Sequence, residues 1–429
     1  MQLADFCTEL TALPAMAALA DMLARQRGWM RIAPLIAAAR TPLIAALAQA
    51  AEQRATPGAP LVYVVGNSDQ ALRAAEDLRQ WLGPEQALLY PASDVMPYEH
   101  MSPSSEVAGQ RLRVLQALQS ACLASGLAPV NRRRPSVIVV PIKALLQATL
   151  SPAELAEATV VVQRGQEIPQ DALIRRWIEL GYRVAPTVEE PGELSRRGGI
   201  VDIWSAAGPL PTRIEWFGDE IDSLRMFDPN TQRSEERLEA IVTGPPCEIP
   251  LWRRAQATER LAAVDLRSLR REAREEWEAS LMRLDLGEHF EGRPFYTPFF
   301  WDGVERREPS AGNESASFAS FLSYRSLLAY LPPGALMLFN EVELLAQSAA
   351  DIQDQIESQR AALVEGGELP RDFPRPYLLW EELLNDLKLA ASETETQEVN
   401  PKAASRLTLV DLSNNDTPID STEPFSDLQ

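Results

Sequence analysis

Two histidines, His100 and His289, are all that the 429 residues contain. That scarcity nearly excludes the acid–base relays and metal cages that depend on imidazole. The three cysteines, Cys7, Cys122 and Cys247, are scattered, odd in number and without metal-ligand spacing, which fits a reducing cytoplasm rather than a disulfide scaffold. No apolar run approaches the roughly 20 residues that a membrane helix needs, so no membrane partner is expected. Asp5 and Glu9 stand where a secretion signal would carry positive charge, which argues against export. Positive charge is itself in deficit: 41 Lys and Arg face 61 Asp and Glu, for a net charge of -20. A field of that sign repels phosphate backbones, so this chain is not expected to grip DNA strongly by itself.

Also missing is the loop G-x-x-x-x-G-K-[ST], whose glycines let backbone N–H groups curl around phosphates while its lysine reaches the terminal ones. The candidate spacing ahead of an early helix runs from Pro34 to Thr41. Pro34 and Ala39 hold the two glycine positions there, and Arg40 stands where lysine would be. The alanine Cβ resists the left-handed backbone such a loop uses. Thr41-Pro42 reads as an ordinary helix start, with Thr41 capping and Pro42 in the first turn. Leu336 to Glu341 has the form of an apolar strand that ends in a magnesium-coordinating aspartate. Asn340 occupies that position, and a neutral amide brings no charge to the cation. Neither ATP nor magnesium is expected to bind productively, and no other cofactor or catalytic set emerges.

What the chain does contain is a succession of elements. At this length two or three domains are expected. The first fifty residues, rich in alanine and leucine, read as helices. Leu61–Val65, Ala87–Tyr90 and Val137–Val140 read as strands alternating with helical periodicity at Leu72, Ala75, Leu78 and Leu82 and over Glu106 to Gln119. That order implies a parallel sheet with crossover helices. A strand at Val160 to Gln163 and a helix at Asp171 to Leu180 follow. Arg253 to Arg283 reads as a charged helical segment, ahead of the aromatic run Phe295 to Trp301, for which packing is preferred over base stacking. Ala335 to Phe339 and Val342 to Ala362 read as a returning strand and a long helix. From Ser392 the composition turns polar and acidic, as in a tail or linker.

The densest signal lies between Val188 and Ser234. Gly198-Gly199 follows an arginine pair, where a turn with positive φ is expected. Thr212, Ile214 and Trp216 alternate with Arg213, Glu215 and Phe217, the period of a half-buried strand. Gly218-Asp219 then turns the chain into Ile221–Phe227. The result is a small antiparallel meander whose first turn displays Arg196 and Arg197, a corner suited to docking. Asp219, Glu220 and Asp222 read as solvated turn carboxylates rather than as a metal site or acid–base pair.

The segments PGE, RRGGIVDIW, RIEWFGDEIDSLR and FDPNTQRS, quoted in chain order, resemble the UvrA-binding module near the amino terminus of bacterial transcription-repair coupling factors, a module shared with UvrB. Weaker echoes occur at Pro97-Tyr98-Glu99, Ser102-Pro103-Ser104 and Arg111-Leu112, and again from Pro374 to Leu383. The resemblance implies an α/β fold: a UvrB-like parallel domain of degenerate P-loop NTPase (RecA-like) type, carrying an inserted antiparallel α+β module. The expected layout is 1–158 for the first part of the α/β domain and 159–248 for the inserted UvrA-binding module. A variable helical and aromatic segment at 249–317, a return to the α/β domain over 318–390 and a polar acidic tail or linker at 391–429 complete it.

By the same resemblance the expected partner is UvrA, in transcription-coupled nucleotide excision repair. Arg197 stands in the place of the arginine presented to UvrA, with Arg183 and Arg196 as companions and Glu193 and Trp204 as further contacts. Guanidinium forks are suited to engage partner carboxylates. Ala39, Arg40, Thr41 and Asn340 are the eroded nucleotide-site positions. RNA polymerase and DNA are expected to be engaged only through a carboxyl-terminal part, with its motor, that these residues do not include. The competing expectation is a nucleic-acid-dependent ATPase or helicase fragment that binds ATP and damaged DNA.

Overall fold

The computed structural model describes residues 3–25, 28–52, 59–122, 135–301, 325–332, 334–391 and 407–413. The basic run Arg132 to Arg134 and the expected boundary near Ser317 lie outside them.

The first layer is a six-stranded sheet of β1 (Gly28–Ile32), β2 (Leu61–Val65), β3 (Ala87–Leu89), β4 (Val137–Pro141), β13 (Leu336–Phe339) and β14 (Thr408–Leu412). They stand in the order β1-β14-β13-β2-β4-β3, and every pairing is parallel. Both faces are covered, as a parallel sheet requires. Val62, Val64, Ile138, Val140, Met337 and Leu409 point into one core with the helices Ser105–Cys122, Val342–Glu365 and Trp380–Ala391. Leu61, Tyr63, Val65, Val137, Val139 and Val410 point into the other, with the helices Leu3–Thr11, Pro14–Arg25, Ala37–Glu52 and Ser68–Leu82. Strand alternation thus divides one apolar run between two cores.

Between β4 and β13 the chain builds a second unit. β5 (Val160–Gln163) pairs with β12 (Ala240–Thr243). The remaining strands, β6 (Arg183–Val184), β7 (Glu193–Arg197), β8 (Ile200–Ile203), β9 (Thr212–Phe217), β10 (Glu220–Phe227) and β11 (Ser234–Leu238), form a sheet in the order β11-β10-β9-β8-β7-β6. From β7 to β11 it is an antiparallel meander, and β6 adds to β7 in parallel. The helix Gln170–Leu180 lays Leu173, Trp177 and Leu180 on this sheet, against Leu194, Val201, Ile214 and Leu224. Gly181 ends that helix at φ 107°, a conformation only glycine adopts readily.

A third core is aromatic. The helices Arg254–Ala262 and Arg271–Leu286 and a 3-10 segment Arg293–Phe300 enclose Trp277, Phe290, Phe295, Tyr296, Phe299 and Phe373. Trp277 meets Phe295, Tyr296, Phe299 and Phe373 edge-on, at centroid distances of 5.3 to 6.5 Å. These rings are buried, which rules them out as a base-stacking platform.

Four expectations are corrected. The alanine-rich start is not wholly helical, because Gly28–Ile32 supplies an edge strand. Thr41 does not cap a helix: the helix starts at Ala37 and holds Pro42 in its interior, so the proline deletes one backbone bond instead of opening the helix. The charged segment after Arg253 is two helices rather than one. The supposed tail from 391 contains β14, wholly buried between β1 and β13. Its six apolar-rich residues, Leu407 to Leu412, are diluted by polar neighbours, and Asp411 interrupts them. That carboxylate is satisfied by Arg31, at 2.7 Å, and by the Val342 N–H, at 3.1 Å.

A central strand cannot be removed without exposing two ladders. Truncation after Ala391 is expected to abolish the cooperative thermal transition seen by circular dichroism, whereas loss of a mere tail would leave it unchanged. The milder Leu409→Ala is expected to cost about 2–5 kcal/mol in urea unfolding.

Candidate protein-binding site

The hairpin β7–β8 carries most of the candidate residues. Gly198 takes φ 61° in its turn, so Arg197 is followed by the one residue type that fits there without strain. Alternation then separates the two arginines. Leu194 faces the helix Gln170–Leu180, and Arg196 shares its side of the strand, pairing with Asp171 of that helix at 2.6 Å. Arg197 lies on the opposite side. Its Nη2 donates to the Thr187 hydroxyl at 3.0 Å and to the Pro186 carbonyl at 3.3 Å. The two guanidiniums therefore do not form one cluster, as the adjacent positions had suggested. Among the described residues Arg197 has no carboxylate partner, and it stands exposed.

Arg183, Glu193 and Trp204 gather at the other end of the same hairpin. Arg183 is in register with Glu193, and its guanidinium lies 2.9 Å from Glu190 and 3.3 Å from Glu193. Glu193 also accepts the N–H groups of Glu189 and Glu190, each at 3.0 Å, so its carboxylate folds a loop rather than waiting for a partner. Trp204 is half-buried. Its indole N–H reaches the Gly208 carbonyl at 3.3 Å, and its backbone pairs with Glu193 at 2.9 Å and Gly192 at 2.8 Å. Four residues of strand, about 13 Å, separate Glu193 from Arg197.

Sequence reasoning left one residue out of the site. Phe217 is 82% exposed at the tip of β9, and its neighbour Trp216 donates its backbone N–H to Gly199 at 2.8 Å. A bare aromatic ring therefore sits beside the turn that carries Arg197, and a guanidinium next to an aromatic anchor is a common centre of binding energy. The alternation puts Phe217 on the face of β9 that Arg213 and Glu215 share, opposite Trp216. Trp216 instead packs against the core and donates its indole N–H to the Ile168 carbonyl at 3.0 Å.

The positions read as an eroded nucleotide site converge elsewhere, at the carboxyl ends of β2 and β13, where ligands of such sheets bind. Only residues 33–36 separate β1 from its helix, so Ala39, Arg40 and Thr41 are helical. Arg40 is 5% exposed. Its guanidinium donates to Asn340 Oδ1 at 2.5 Å and to the Glu341 carboxylate. The Tyr63 hydroxyl donates to the same Asn340 oxygen at 3.0 Å. Burial pushes the Tyr63 hydroxyl up to about 12, against the pull of Arg40. Arg40 and Tyr63 thus share one Asn340 oxygen inside the protein, while Arg40 Nε has no hydrogen-bond partner among the described residues.

The two kinds of residue are expected to separate in a stability measurement. Glu193→Ala removes two hydrogen bonds that close an exposed loop and is expected to cost about 1–1.5 kcal/mol. Arg197→Glu is expected to stay within about 0.5 kcal/mol of the parent in urea unfolding. Equal losses would contradict the division.

The family profile described as the UvrB interaction domain matches residues 160–248, which are the strands β5 to β12 and the helix packed on them. The chain is similar to the transcription-repair-coupling factor of Bacillus subtilis, 28% identical over 353 residues, or 80% of this chain and 27% of the relative. Similar proteins of the same name from Myxococcus xanthus (34% identical; 45% of this chain, 16% of the relative) and Escherichia coli (32%; 48% and 16%) match shorter stretches. The chain thus spans about a quarter or less of the length of these relatives. No helix among the described residues is long and apolar enough to cross a membrane. A UvrB interaction domain, held between the strands of a parallel α/β layer, therefore occupies residues 160–248 of a chain similar to bacterial transcription-repair-coupling factors.

Proposed function

We propose that this chain recruits UvrA in transcription-coupled nucleotide excision repair, and that the contact centres on the β7–β8 turn. The observation that carries this reading is the exposed Arg197 guanidinium, which has no carboxylate partner among the described residues and stands on a domain matched to the UvrB interaction family. Phe217 beside it supplies apolar area, and the fork of Arg197 is suited to a bidentate carboxylate on UvrA. Arg183 and Arg196 already hold carboxylates of this chain, so they are secondary contacts, and Glu193 and Trp204 act by shaping the loop.

The α/β layer serves in this reading as a scaffold of degenerate P-loop type without ATPase activity. Support comes from Arg40, which spends its charge on Asn340 and Glu341 where a phosphate-binding lysine and a magnesium ligand would be needed. No geometry here favours the ATPase or helicase alternative.

Arg197→Glu is expected to weaken UvrA binding at least about 30-fold in surface plasmon resonance, as expected for the reversal of a central contact. Phe217→Ala should weaken it less, and Arg196→Ala least. Unchanged affinity in a folded Arg197→Glu protein would overturn the assignment. Phosphate release from ATP, measured with and without DNA, is expected to stay at background. Turnover that disappears in Arg40→Ala would overturn the scaffold reading.

A further inference from the structure

A cleft of about 440 Å³ opens beside the aromatic core, between the loop 93–105, the turn at 181–192 and the segment 289–301. That volume lies within the roughly 300–1,000 Å³ typical of small-molecule sites. Its walls are largely apolar, with Met96, Ile249, Phe295 and Phe373 among them.

Its charged groups balance in number, with Arg111, Arg183 and Arg293 facing Glu99, Glu190 and Glu248, but they do not all pair with one another. Each lining carboxylate is already held within the chain. Glu248 is gripped by Arg111 at 2.5 and 3.1 Å and by the Thr149 hydroxyl. Glu190 is held by Arg183 at 2.9 Å, and Glu99 accepts the Met96 N–H at 3.0 Å. Arg293 also lines the cleft. It is 9% exposed, and among the described residues its guanidinium has neither a hydrogen-bond nor an ion-pair partner. His289 sits close by, and its pKa is lowered by burial and by the positive charges of Arg293 and Arg183. Among the described residues, Arg293 is thus the lining guanidinium that no carboxylate answers. Guanidinium cannot escape by losing its proton, and a buried charge without a partner is costly.

We infer that this cleft binds a small organic anion, a phosphate or carboxylate on an apolar body, with its head group on Arg293 and its body against Met96, Ile249, Phe295 and Phe373. The planar fork of Arg293 accommodates either head group in a bidentate pair. The cleft shares Arg183 with the proposed UvrA surface, but neither Arg197 nor Phe217 lines it, so the head-group site on Arg293 is separate from the central UvrA contact.

Isothermal titration of the 429-residue chain with phenyl phosphate and with phenylacetate tests the idea, the two arms distinguishing the head groups. At least one is expected to bind saturably at one site with a Kd below about 1 mM. Inorganic phosphate and benzyl alcohol, each carrying half of the required chemistry, should bind at least about tenfold more weakly. Arg293→Gln is expected to abolish the heat of binding while leaving the melting temperature of the ligand-free protein unchanged or higher, because an uncompensated charge has gone. Absence of saturable binding for both aromatic anions would overturn the proposal. So would unchanged binding in Arg293→Gln, or a ligand-free Arg293→Gln protein that fails to fold.

Discussion

The arrangement depends on two ion-pair sites at the two ends of the inserted domain. Glu154, 1% exposed, lies just before the inserted domain, in the helix Pro152–Ala158. It holds Arg325 through two bonds of 2.5 and 2.7 Å and Arg253 at 2.8 Å, while also capping its own helix from 2.9 Å at the Ser151 N–H. Glu248 lies at the exit and is bound in bidentate fashion by Arg111, itself tied to the Pro91 carbonyl at 2.9 Å. Removing one partner from such a pair leaves an uncompensated buried charge, at a cost of about 3–5 kcal/mol. Apolar packing could hold these segments together equally well, but paired forks are directional. The tilt of the inserted sheet is consequently set at its root.

A second constraint supports the first. A Cβ added to Gly109, in the helix Ser105–Cys122, would stand 2.6 Å from the Ala206 carbonyl, so the absent side chain lets that helix press directly onto the loop that follows β8. Ala206 and Ala207 join the core of the α/β layer at this point. The hairpin bearing Arg197 is therefore the outer end of a strand pair whose inner end is clamped. Such a surface binds without first having to be ordered, which reduces the entropic cost of association.

Much of this was legible in the sequence because period and turn chemistry speak locally. The alternation over Thr212 to Phe217, the glycine at 198 and the runs at Leu61, Val137 and Leu336 each named an element that the structure contains. Illegible parts are those settled by partners distant along the chain. Leu407 to Leu412 becomes a central strand because β1 and β13 flank it and Arg31 answers Asp411, and no local pattern announces a neighbour 380 residues away. The divergence of Arg196 and Arg197 follows from strand alternation, a rule available from the outset. Which face held the helix with Asp171 was not.

Two arginines illustrate why residue type alone does not define a site. Arg197 and Arg293 both lack a carboxylate among the described residues, yet the same deficit has different consequences. On the exposed turn, water and two neutral acceptors solvate the guanidinium at little cost, so the vacancy can wait for a macromolecular partner that brings its own desolvating surface. In the cleft, burial withdraws most of that water, and the deficit becomes a standing penalty that a compact anion could relieve. Burial, which the sequence does not display, decides what kind of ligand each arginine is suited to meet.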